Sequence, residues 1–378
     1  MSTEPRITEP GSTEPRFRIA VLAGDGIGPE VIAPTIRLLQ SVTAETGGFG
    51  LDFVDLEAGA AHYSRSGEAL PDAALDAARA ADAVLLGAMG LPSIRYPDGT
   101  EIAPQLELRE KLELYAGVRP IRTLKGLPTP LADPRASELD IVLVRESTEG
   151  LFKSRNACQL IDDVIARDTL EITRPTSERL FAFAFELAAE RKMRGLEGKV
   201  TCVDKANVLG SFAFFRRIFD ECAARHPHVE ADHAYVDAVG LWMVKQPWVF
   251  DVLVTENMFG DILSDVGAGL MGGMGMAPSA DIGDEHAVFQ PCHGSAPDIV
   301  GQGIANPVAT FLSAAMMLEW LGREHGNKAC GNAAQLIFAG VDAAFAGGEL
   351  LPFELGGDAG TVEIGDAVFK AVDAGADA

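Results

Sequence analysis

Two aspartates four residues apart stand in the segment TENMFGDILSD, residues 255–265. On a helix, Asp261 and Asp265 would lie one turn apart and project from the same face. Like charges at this spacing repel each other, so a cation bound between them would be stabilising. Carboxylate oxygens are the ligands that Mg²⁺ and Mn²⁺ prefer, so the pair predicts a divalent metal site that Asp237 could complete. The alternative is an acidic helix start, which the helix dipole favours.

Three arginines lie at the ends of predicted strands or helices. Arg109 and Arg119 flank the segment LREKLELYAGVRP, and Arg145 follows the apolar strand IVLV. A guanidinium is always charged and can hold a carboxylate through two parallel hydrogen bonds. The three side chains could form a cradle for a polycarboxylate substrate, or each could make a surface ion pair.

Lys205 and Asp237 are candidates for proton transfer. Lys205 follows the strand VTCV in TCVDKANVL, and Asp237 stands in YVDAVGLWMV. A lysine close to a metal or another cation has a lowered pKa and can exchange protons near neutral pH. Considered alone, each residue could equally be a partner in a structural salt bridge.

A glycine- and proline-rich loop, QPCHGSAPDIVGQGIAN, covers residues 290–306 and precedes an apolar helix. Long ordered loops of this kind are often functional, and this one contains His293 and Asp298. A carboxylate such as Asp298 can accept a hydrogen bond from a ribose 2′-hydroxyl and would repel a 2′-phosphate.

Strands that alternate with helices position these residues. Buried strands are predicted at residues 18–23, 53–56, 83–86, 141–144, 200–203 and 249–254, and helices at 31–42, 71–81, 176–191 and 211–224. This alternation predicts an α/β protein with a largely parallel sheet. The first strand ends in GDGIGPE, a tight turn whose glycines alternate and lack the spacing of a dinucleotide-binding fingerprint.

Composition limits the classes of partner. The chain has 378 residues, 47% of them hydrophobic, and a formal net charge of −24. This charge argues against nucleic acid or an anionic membrane as the main partner, and no apolar run has the length of a membrane span. The polar residues 1–16, in which STEPR occurs twice, are predicted to be a disordered tail. Five cysteines without a C-x-x-C pair predict a reducing, cytoplasmic compartment.

The order of the motifs is more specific than any one of them. GDGIGPE, LREKLELYAGVRP, VRESTEG, VDKANVL, VDAVGLWMV, ENMFGDILSD and HGSAPDIVGQGIANP together resemble the β-decarboxylating dehydrogenases. This family comprises isopropylmalate, isocitrate, homoisocitrate and tartrate/D-malate dehydrogenases, and the resemblance runs from about Phe17 to the C-terminus. It implies a two-domain α/β fold with mixed, mostly parallel strands that is not a standard Rossmann fold. The larger, cofactor-binding domain would comprise residues 17–116 and 270–378. The smaller domain, 117–269, would carry the contact of a homodimer with shared active sites.

The same resemblance implies roles for individual residues. Arg109, Arg119 and Arg145 match the arginines that hold the malate carboxylates, and Asn207 matches a contact near substrate and nicotinamide. Asp261 and Asp265 match metal ligands of one subunit. Asp237 matches a metal ligand that the other subunit contributes. Lys205 matches the proton-transfer residue, which that other subunit also contributes. The implied cofactor contacts are Ile27, His293, Gly294, Ser295, Ala296, Pro297, Asp298, Ile299 and Asn306. NADP-using members tend to have lysine and tyrosine at the positions of Asp298 and Ile299, so we expect NAD, together with Mg²⁺ or Mn²⁺.

The implied reaction is oxidation of a 3-substituted (R)-malate, such as 3-isopropylmalate, followed by loss of carbon dioxide. Phe152 departs from the pattern, because the family commonly has a tyrosine there that assists reprotonation of the enol. Gln105 lies one turn before Arg109 and should face the group on C3, where an unpaired amide would cost roughly 1–3 kcal/mol against an isopropyl group. A tartrate/D-malate-type substrate therefore stays open, as does a non-catalytic regulatory paralogue.

Overall fold

The computed structural model describes residues 14–376, so most of the predicted N-terminal tail lies outside the described residues. Residues 14–16, at the end of the predicted tail, do not fit the prediction of disorder. Arg16 begins the first strand and its Nε donates to Asp52 Oδ1 at 3.0 Å, while Glu14 accepts a hydrogen bond from the backbone N–H of Gly48. The first strand therefore begins one residue before the predicted start at Phe17, because Arg16 pairs with Asp52. The prediction of a tail over residues 1–13 lies outside the described residues.

The described residues form strands and helices in alternation for most of the chain. The strands are β1 (Arg16–Gly24), β2 (Gly50–Asp55), β3 (Ala83–Ala88), β4 (Ala116–Arg122), β5 (Asp140–Glu146), β6 (Gln159–Ile161), β7 (Ile165–Arg167), β8 (Lys199–Asp204), β9 (Glu230–Tyr235), β10 (Val252–Thr255), β11 (Pro278–Ile282) and β12 (Ala287–Pro291). The α-helices are α1 (Gly28–Thr46), α2 (Ala60–Ser66), α3 (Asp72–Arg79), α4 (Pro104–Lys111), α5 (Arg174–Met193), α6 (Gly210–Ala223), α7 (Val236–Lys245), α8 (Asn257–Met271), α9 (Val308–Glu324), α10 (Lys328–Phe345) and α11 (Thr361–Ala376).

One ten-stranded sheet runs through the molecule in the order β2-β1-β3-β12-β11-β4-β5-β10-β8-β9. Six of its neighbouring pairs are parallel, and the pairs β12–β11, β11–β4 and β4–β5 at its centre are antiparallel. This mixed, mostly parallel sheet confirms the predicted α/β class. Its strand order also differs from that of a dinucleotide-binding Rossmann fold.

The strands group by their place in the chain. One half of the sheet, β2, β1, β3, β12 and β11, comes from the two ends of the chain, and the other half comes from its middle. The two halves meet where β11 pairs with β4. The predicted division into residues 17–116 plus 270–378 and residues 117–269 follows this grouping, and the separation into two domains stays a prediction.

Apolar helices cover the sheet. Phe181 and Phe185 of α5 pack against Phe215 and Phe219 of α6, and α9 is buried against β11 and β12. All five cysteines are free thiols. Across residues 14–376, none of the helices combines the length and the apolar character needed to cross a membrane.

Candidate active site

A cavity of about 220 Å³ opens beside the centre of the sheet and contains most of the predicted substrate and metal residues. Its lining includes Gln105, Arg109, Arg119, Arg145, Phe152, Asp261 and Asp265. The arginines and the two metal-site aspartates, which are separated by more than a hundred residues in the chain, therefore share one pocket. Gln105 lines this cavity, and among the described residues its buried Oε1 has no hydrogen-bond partner.

The register of the central strands places the polar side chains on one face. Arg145 of β5 lies opposite Gly117 of β4, and Gly117 lies opposite Asp281 of β11. Side chains in register share a face of the sheet, as do residues two apart in one strand, so Arg119 projects to the same side. Gly117 leaves the space between them, because a Cβ there would lie 2.5 Å from Ser147 Oγ and 3.1 Å from an oxygen of Asp281.

Asp281 connects two of the arginines and was not identified from the sequence. Its oxygens accept hydrogen bonds from Arg109 Nε at 3.0 Å and from Arg119 Nη2 at 3.1 Å. Burial acts to raise the pKa of Asp281, but the positive charges of Arg109, Arg119 and Arg145 lower it well below its usual value. Asp281 is therefore a buried, permanently charged carboxylate.

Residues of α8 hold the side chain of Arg145 in place. Its guanidinium donates to Asn257 Oδ1 at 3.0 and 2.7 Å and also pairs with Asp261. Burial, and next the charge of Arg109, lower the pKa of Arg145 to about 10. The group stays charged at neutral pH and faces the cavity as a binding site for an anion.

Asp261 and Asp265 lie on consecutive turns of α8, as their spacing predicted, and both line the cavity. Burial, followed by the charge of Asp261, raises the pKa of Asp265. Two adjacent carboxylates, one of which already resists ionisation, form a donor set that fits a hard divalent cation. Within residues 14–376, no three His, Cys, Asp or Glu side chains of this single copy gather into a group able to hold a metal ion.

Lys205 and Asp237 form an ion pair at 2.5 Å but do not line the cavity. Both are accessible to solvent, and Lys205 lowers the pKa of Asp237. Asn207 is also exposed and away from the cavity. The fold of one copy thus does not bring these three predicted residues into the lining of the cavity.

Apolar side chains are exposed around this group. Val208, Leu241 and Ile262 have 67%, 56% and 57% of their surface accessible to solvent. Ile262 lies beside Asp261 on α8, and Leu241 lies on the same helix, α7, as Asp237. Large apolar side chains concentrated in this way are typical of a protein interface.

A second, more apolar cavity of about 350 Å³ lies next to the first. Five predicted cofactor residues line it: Ile27, His293, Ala296, Ile299 and Asn306. The other four predicted cofactor residues do not line this second cavity. Gly294 lines the first cavity, the buried Ser295 accepts the backbone N–H of Ile27 at 2.9 Å, and Pro297 and Asp298 are exposed outside both cavities.

No sequence pattern indicated the far wall of this cavity. Phe353 and Glu354 come from a short 3₁₀ helix near the end of the chain. Glu354 accepts hydrogen bonds from Asn306 Nδ2 at 2.7 Å and from the backbone N–H of Gly275 at 3.1 Å. An apolar slot with an amide and a carboxylate at its edge fits a planar heterocycle that carries polar groups.

His293 borders both cavities. Its Nδ1 lies 2.9 Å from the carbonyl oxygen of Gly294, to which it donates. Burial lowers the pKa of His293, which favours the neutral ring. Among the described residues its buried Nε2 has no hydrogen-bond partner, so it offers a lone pair. A ligand in the second cavity would therefore meet a hydrogen-bond acceptor where the two cavities join.

The GDGIGPE turn has a structural role in the fold. The carboxylate of Asp25 accepts backbone N–H groups of Ala60, Ala61 and Gly90 at 2.7–2.8 Å. It thereby connects the turn after β1 to the start of α2 and to the loop after β3. Met89, which precedes Gly90, lines the first cavity.

Comparisons with known proteins give similarity over nearly the whole chain. Residues 18–368 match the sequence model of the isocitrate/isopropylmalate dehydrogenase family. The chain is 44% identical over 356 residues to the 3-isopropylmalate/3-methylmalate dehydrogenase of Methanocaldococcus jannaschii, covering 94% of this chain and 98% of that protein. It is 40% identical over 361 residues to the homoisocitrate dehydrogenase of the same organism, covering 94% and 97% of the two chains. The crystal structure of isocitrate dehydrogenase from Methylococcus capsulatus superposes with a TM-score of 0.81 at 35% identity, covering 94% of this chain and 99% of that one.

Proposed function

Because the chain belongs to the isocitrate/isopropylmalate dehydrogenase family, we propose that it oxidises a 3-substituted (R)-malate with NAD and Mg²⁺ or Mn²⁺, and with loss of carbon dioxide. The observation that carries this proposal is the shared cavity. It places three arginines, which suit two carboxylates, against two aspartates, which suit a divalent cation.

The chain's own residues have separable tasks in this proposal. Arg109, Arg119 and Arg145 bind and orient the two carboxylates of the malate core. A metal ion bound at Asp261 and Asp265 would supply Lewis-acid chemistry that lowers the pKa of the substrate hydroxyl. His293 and the apolar second cavity would hold the adenosine half of NAD, and the bound cofactor would supply the hydride acceptor.

Proton transfer requires a second copy of the chain in this proposal. Lys205 and Asp237 are already paired with each other but stand away from the cavity of their own copy. In a homodimer built on the exposed apolar residues around α7 and α8, they would enter the cavity of the other copy. Lys205 would then accept the proton of the substrate hydroxyl, and Asp237 would add the third carboxylate to the metal site.

The group on C3 is the second part of the proposal. Among the similar proteins, the names include 3-isopropylmalate, 3-methylmalate and homoisocitrate dehydrogenases. In the cavity, Leu106 offers apolar surface next to the unpaired oxygen of Gln105. An alkyl group fits Leu106, whereas a tartrate/D-malate-type substrate would place a hydroxyl within reach of Gln105 and is our second candidate.

A panel of malates tests the function directly. Purified protein is given NAD, Mg²⁺ and, in separate assays, 3-isopropylmalate, 3-methylmalate, D-malate, tartrate, homoisocitrate or isocitrate, while NADH and carbon dioxide are measured independently. We expect NADH from a 3-alkylmalate and its loss when EDTA removes the metal. No NADH from any of the six would refute the proposal and would favour a non-catalytic regulatory paralogue.

A further inference from the structure

Asp281 is a buried carboxylate inside the arginine cluster, and the proposed reaction gives it no task. It lies on β11, is completely inaccessible to solvent, and contacts Arg109 and Arg119. Its oxygens also accept Gln290 Nε2 at 2.7 Å and Ser147 Oγ at 3.3 Å. Both oxygens are therefore occupied by donors, as a carboxylate anion requires.

These contacts give Asp281 a geometric effect on the substrate site. Arg109 comes from α4 and Arg119 from β4, and each donates one hydrogen bond to a different oxygen of the same carboxylate. Because Asp281 is fixed by its strand, both guanidiniums are held in place before any ligand enters. Preorganisation of this kind reduces the cost of ordering long side chains on binding.

The same contacts set the charge of the site. Arg109, Arg119 and Arg145 contribute three positive charges, and Asp281 removes one. Asp261 and Asp265 in the same cavity would be balanced by the divalent cation that they hold in the proposed enzyme, so two positive charges remain. The two carboxylates of a malate core balance this remainder. A third carboxylate on C3 would be unbalanced, and an unpaired charge in a desolvated cavity is costly.

The rest of the cavity wall offers no replacement cation. Of the described residues that line it, the only other basic side chain is His293, whose pKa burial lowers. The surface next to Arg109 on α4 is formed by the uncharged side chains of Gln105 and Leu106.

We propose that Asp281 is a positioning and specificity-determining residue that restricts the site to malates whose C3 group is uncharged. It acts through Arg109 and Arg119, by fixing their positions and by cancelling one positive charge. This inference rests on the proposed function and deepens it, because it assigns the class of substrate.

Gln290 provides a matched control for this proposal. Its amide shares a hydrogen bond with Asp281 and also lines the cavity. Asp281→Asn removes the buried negative charge. In the double variant Asp281→Asn/Gln290→Glu, position 290 supplies the carboxylate and position 281 supplies the amide that donates the hydrogen bond. The pair again carries one negative charge. The single and double variants therefore differ in charge but keep similar volume.

The experiment measures binding as well as turnover. Wild type, Asp281→Asn and the double variant are each titrated calorimetrically, in the presence of Mg²⁺, with 3-isopropylmalate and with the tricarboxylates isocitrate and homoisocitrate. The values of kcat/KM are measured for every pair that turns over, and thermal unfolding checks that the variants fold. We expect wild type to prefer the dicarboxylate. Asp281→Asn should reduce this preference by about tenfold or more, equivalent to roughly 1.4 kcal/mol, and the double variant should restore most of it.

Two results would overturn the proposal. One is an equal change in affinity for dicarboxylates and tricarboxylates in Asp281→Asn, because a merely structural role would weaken both alike. The other is a double variant that folds but keeps the altered preference of the single variant. The proposed function fails separately, when none of the six acids of the panel yields NADH. If wild type binds none of the three acids used here, the specificity proposal fails, and the six-acid panel still decides the proposed function.

Discussion

Arg145 and Asp261 form an ion pair that joins the end of β5 to the first turns of α8 at the mouth of the cavity. One is a ligand for substrate carboxylates in our proposal, and the other is a ligand for a divalent cation. Each holds the other in place before substrate and metal arrive. Metal binding would draw Asp261 away from Arg145 and free the guanidinium for the substrate, so the two binding events are coupled in the proposed enzyme.

The shared active site can be tested by mixing inactive variants. Lys205→Met and Asp261→Asn should each reduce kcat by at least about 100-fold, because each removes a group that acts directly on the reaction. In a mixed dimer, one site would receive an intact Lys205 from one copy and an intact Asp261 from the other. After dissociation and reassociation of an equal mixture, activity should return to about one quarter of wild type, since half of the dimers are mixed and half of their sites are intact.

The control for this experiment is a mixture of Asp261→Asn with Asp265→Asn. Both residues line the same cavity of one copy, so no combination of these two variants contains an intact site. This mixture should stay inactive. Recovery of activity in the control, or none in the test mixture, would contradict an active site shared in this way.

Phe152 should limit the loss of carbon dioxide. Its ring lines the cavity, and Cζ of Arg145 lies 5.3 Å from the ring centroid, but it has no hydroxyl to donate a proton. We expect wild type to form NADH faster than it releases carbon dioxide. Phe152→Tyr should accelerate net carbon dioxide release on the order of 100-fold in a single turnover, because protonation of C3 by a positioned general acid stops the enolate from recapturing carbon dioxide.

Phe152→Leu is the matched control, since it changes the ring but adds no proton donor. It should leave the ratio of carbon dioxide to NADH near that of wild type. Equal rates of NADH and carbon dioxide formation in wild type would show that another group already supplies the proton.

Glu354 should contribute to cofactor binding through Asn306. Glu354→Ala removes the acceptor of Asn306 Nδ2 and of the backbone N–H of Gly275, both beside the second cavity. We expect the KM for NAD to rise roughly tenfold while kcat stays close to wild type, because only ground-state binding is affected. Initial rates at varied NAD concentration measure this, and Glu349→Ala, at an exposed position outside the cavity, should change neither constant.

Glu146 should make stability depend on pH. Burial raises its pKa from 4.5 to about 7, although hydrogen bonds from the hydroxyl and backbone N–H of Thr148 oppose this. Between these two pH values the folded protein holds a proton that the unfolded chain releases. The free energy of unfolding should therefore fall as pH rises from 4.5 to about 7, by on the order of 3 kcal/mol, and then level off.

The measurement compares denaturant unfolding of wild type and Glu146→Gln at pH 5, 6, 7 and 8 and at one protein concentration. The glutamine variant has no titrating group at this position. Its free energy of unfolding should therefore increase relative to that of wild type as pH rises. A constant difference across this range would mean that Glu146 is already ionised in the folded protein.

The sequence predicted the parts of the site whose geometry is local. One helical turn separates Asp261 from Asp265, and this spacing alone placed both carboxylates on one face. Arg145 follows an apolar strand, and the end of that strand lies at the cavity. Periodicity and strand ends carry this information because they depend only on neighbouring residues.

The contacts that depend on sheet pairing were not predictable in the same way. Asp281 stands in the short strand PSADI, where polar and apolar residues alternate and proline comes first, so no buried run marked it. Its role follows only from the antiparallel pairing of β11 with β4, across more than 150 residues of chain. Glu354 reaches the second cavity through a similar long-range contact. The predicted strand at residues 249–254 likewise began too early, because a 3₁₀ turn at Pro247–Val249 precedes β10.

The brace formed by Asp25 has a practical consequence for engineering. A protein designer who scans this chain for a coenzyme motif would be drawn to its glycine-alternating turn near the N-terminus. The carboxylate of Asp25 in that turn holds two other stretches of main chain, at Ala60–Ala61 and at Gly90, so replacing it would loosen the loop whose Met89 lines the first cavity. Attempts to change the coenzyme of the proposed enzyme should leave Asp25 intact and begin instead at the exposed Asp298 and at Phe353.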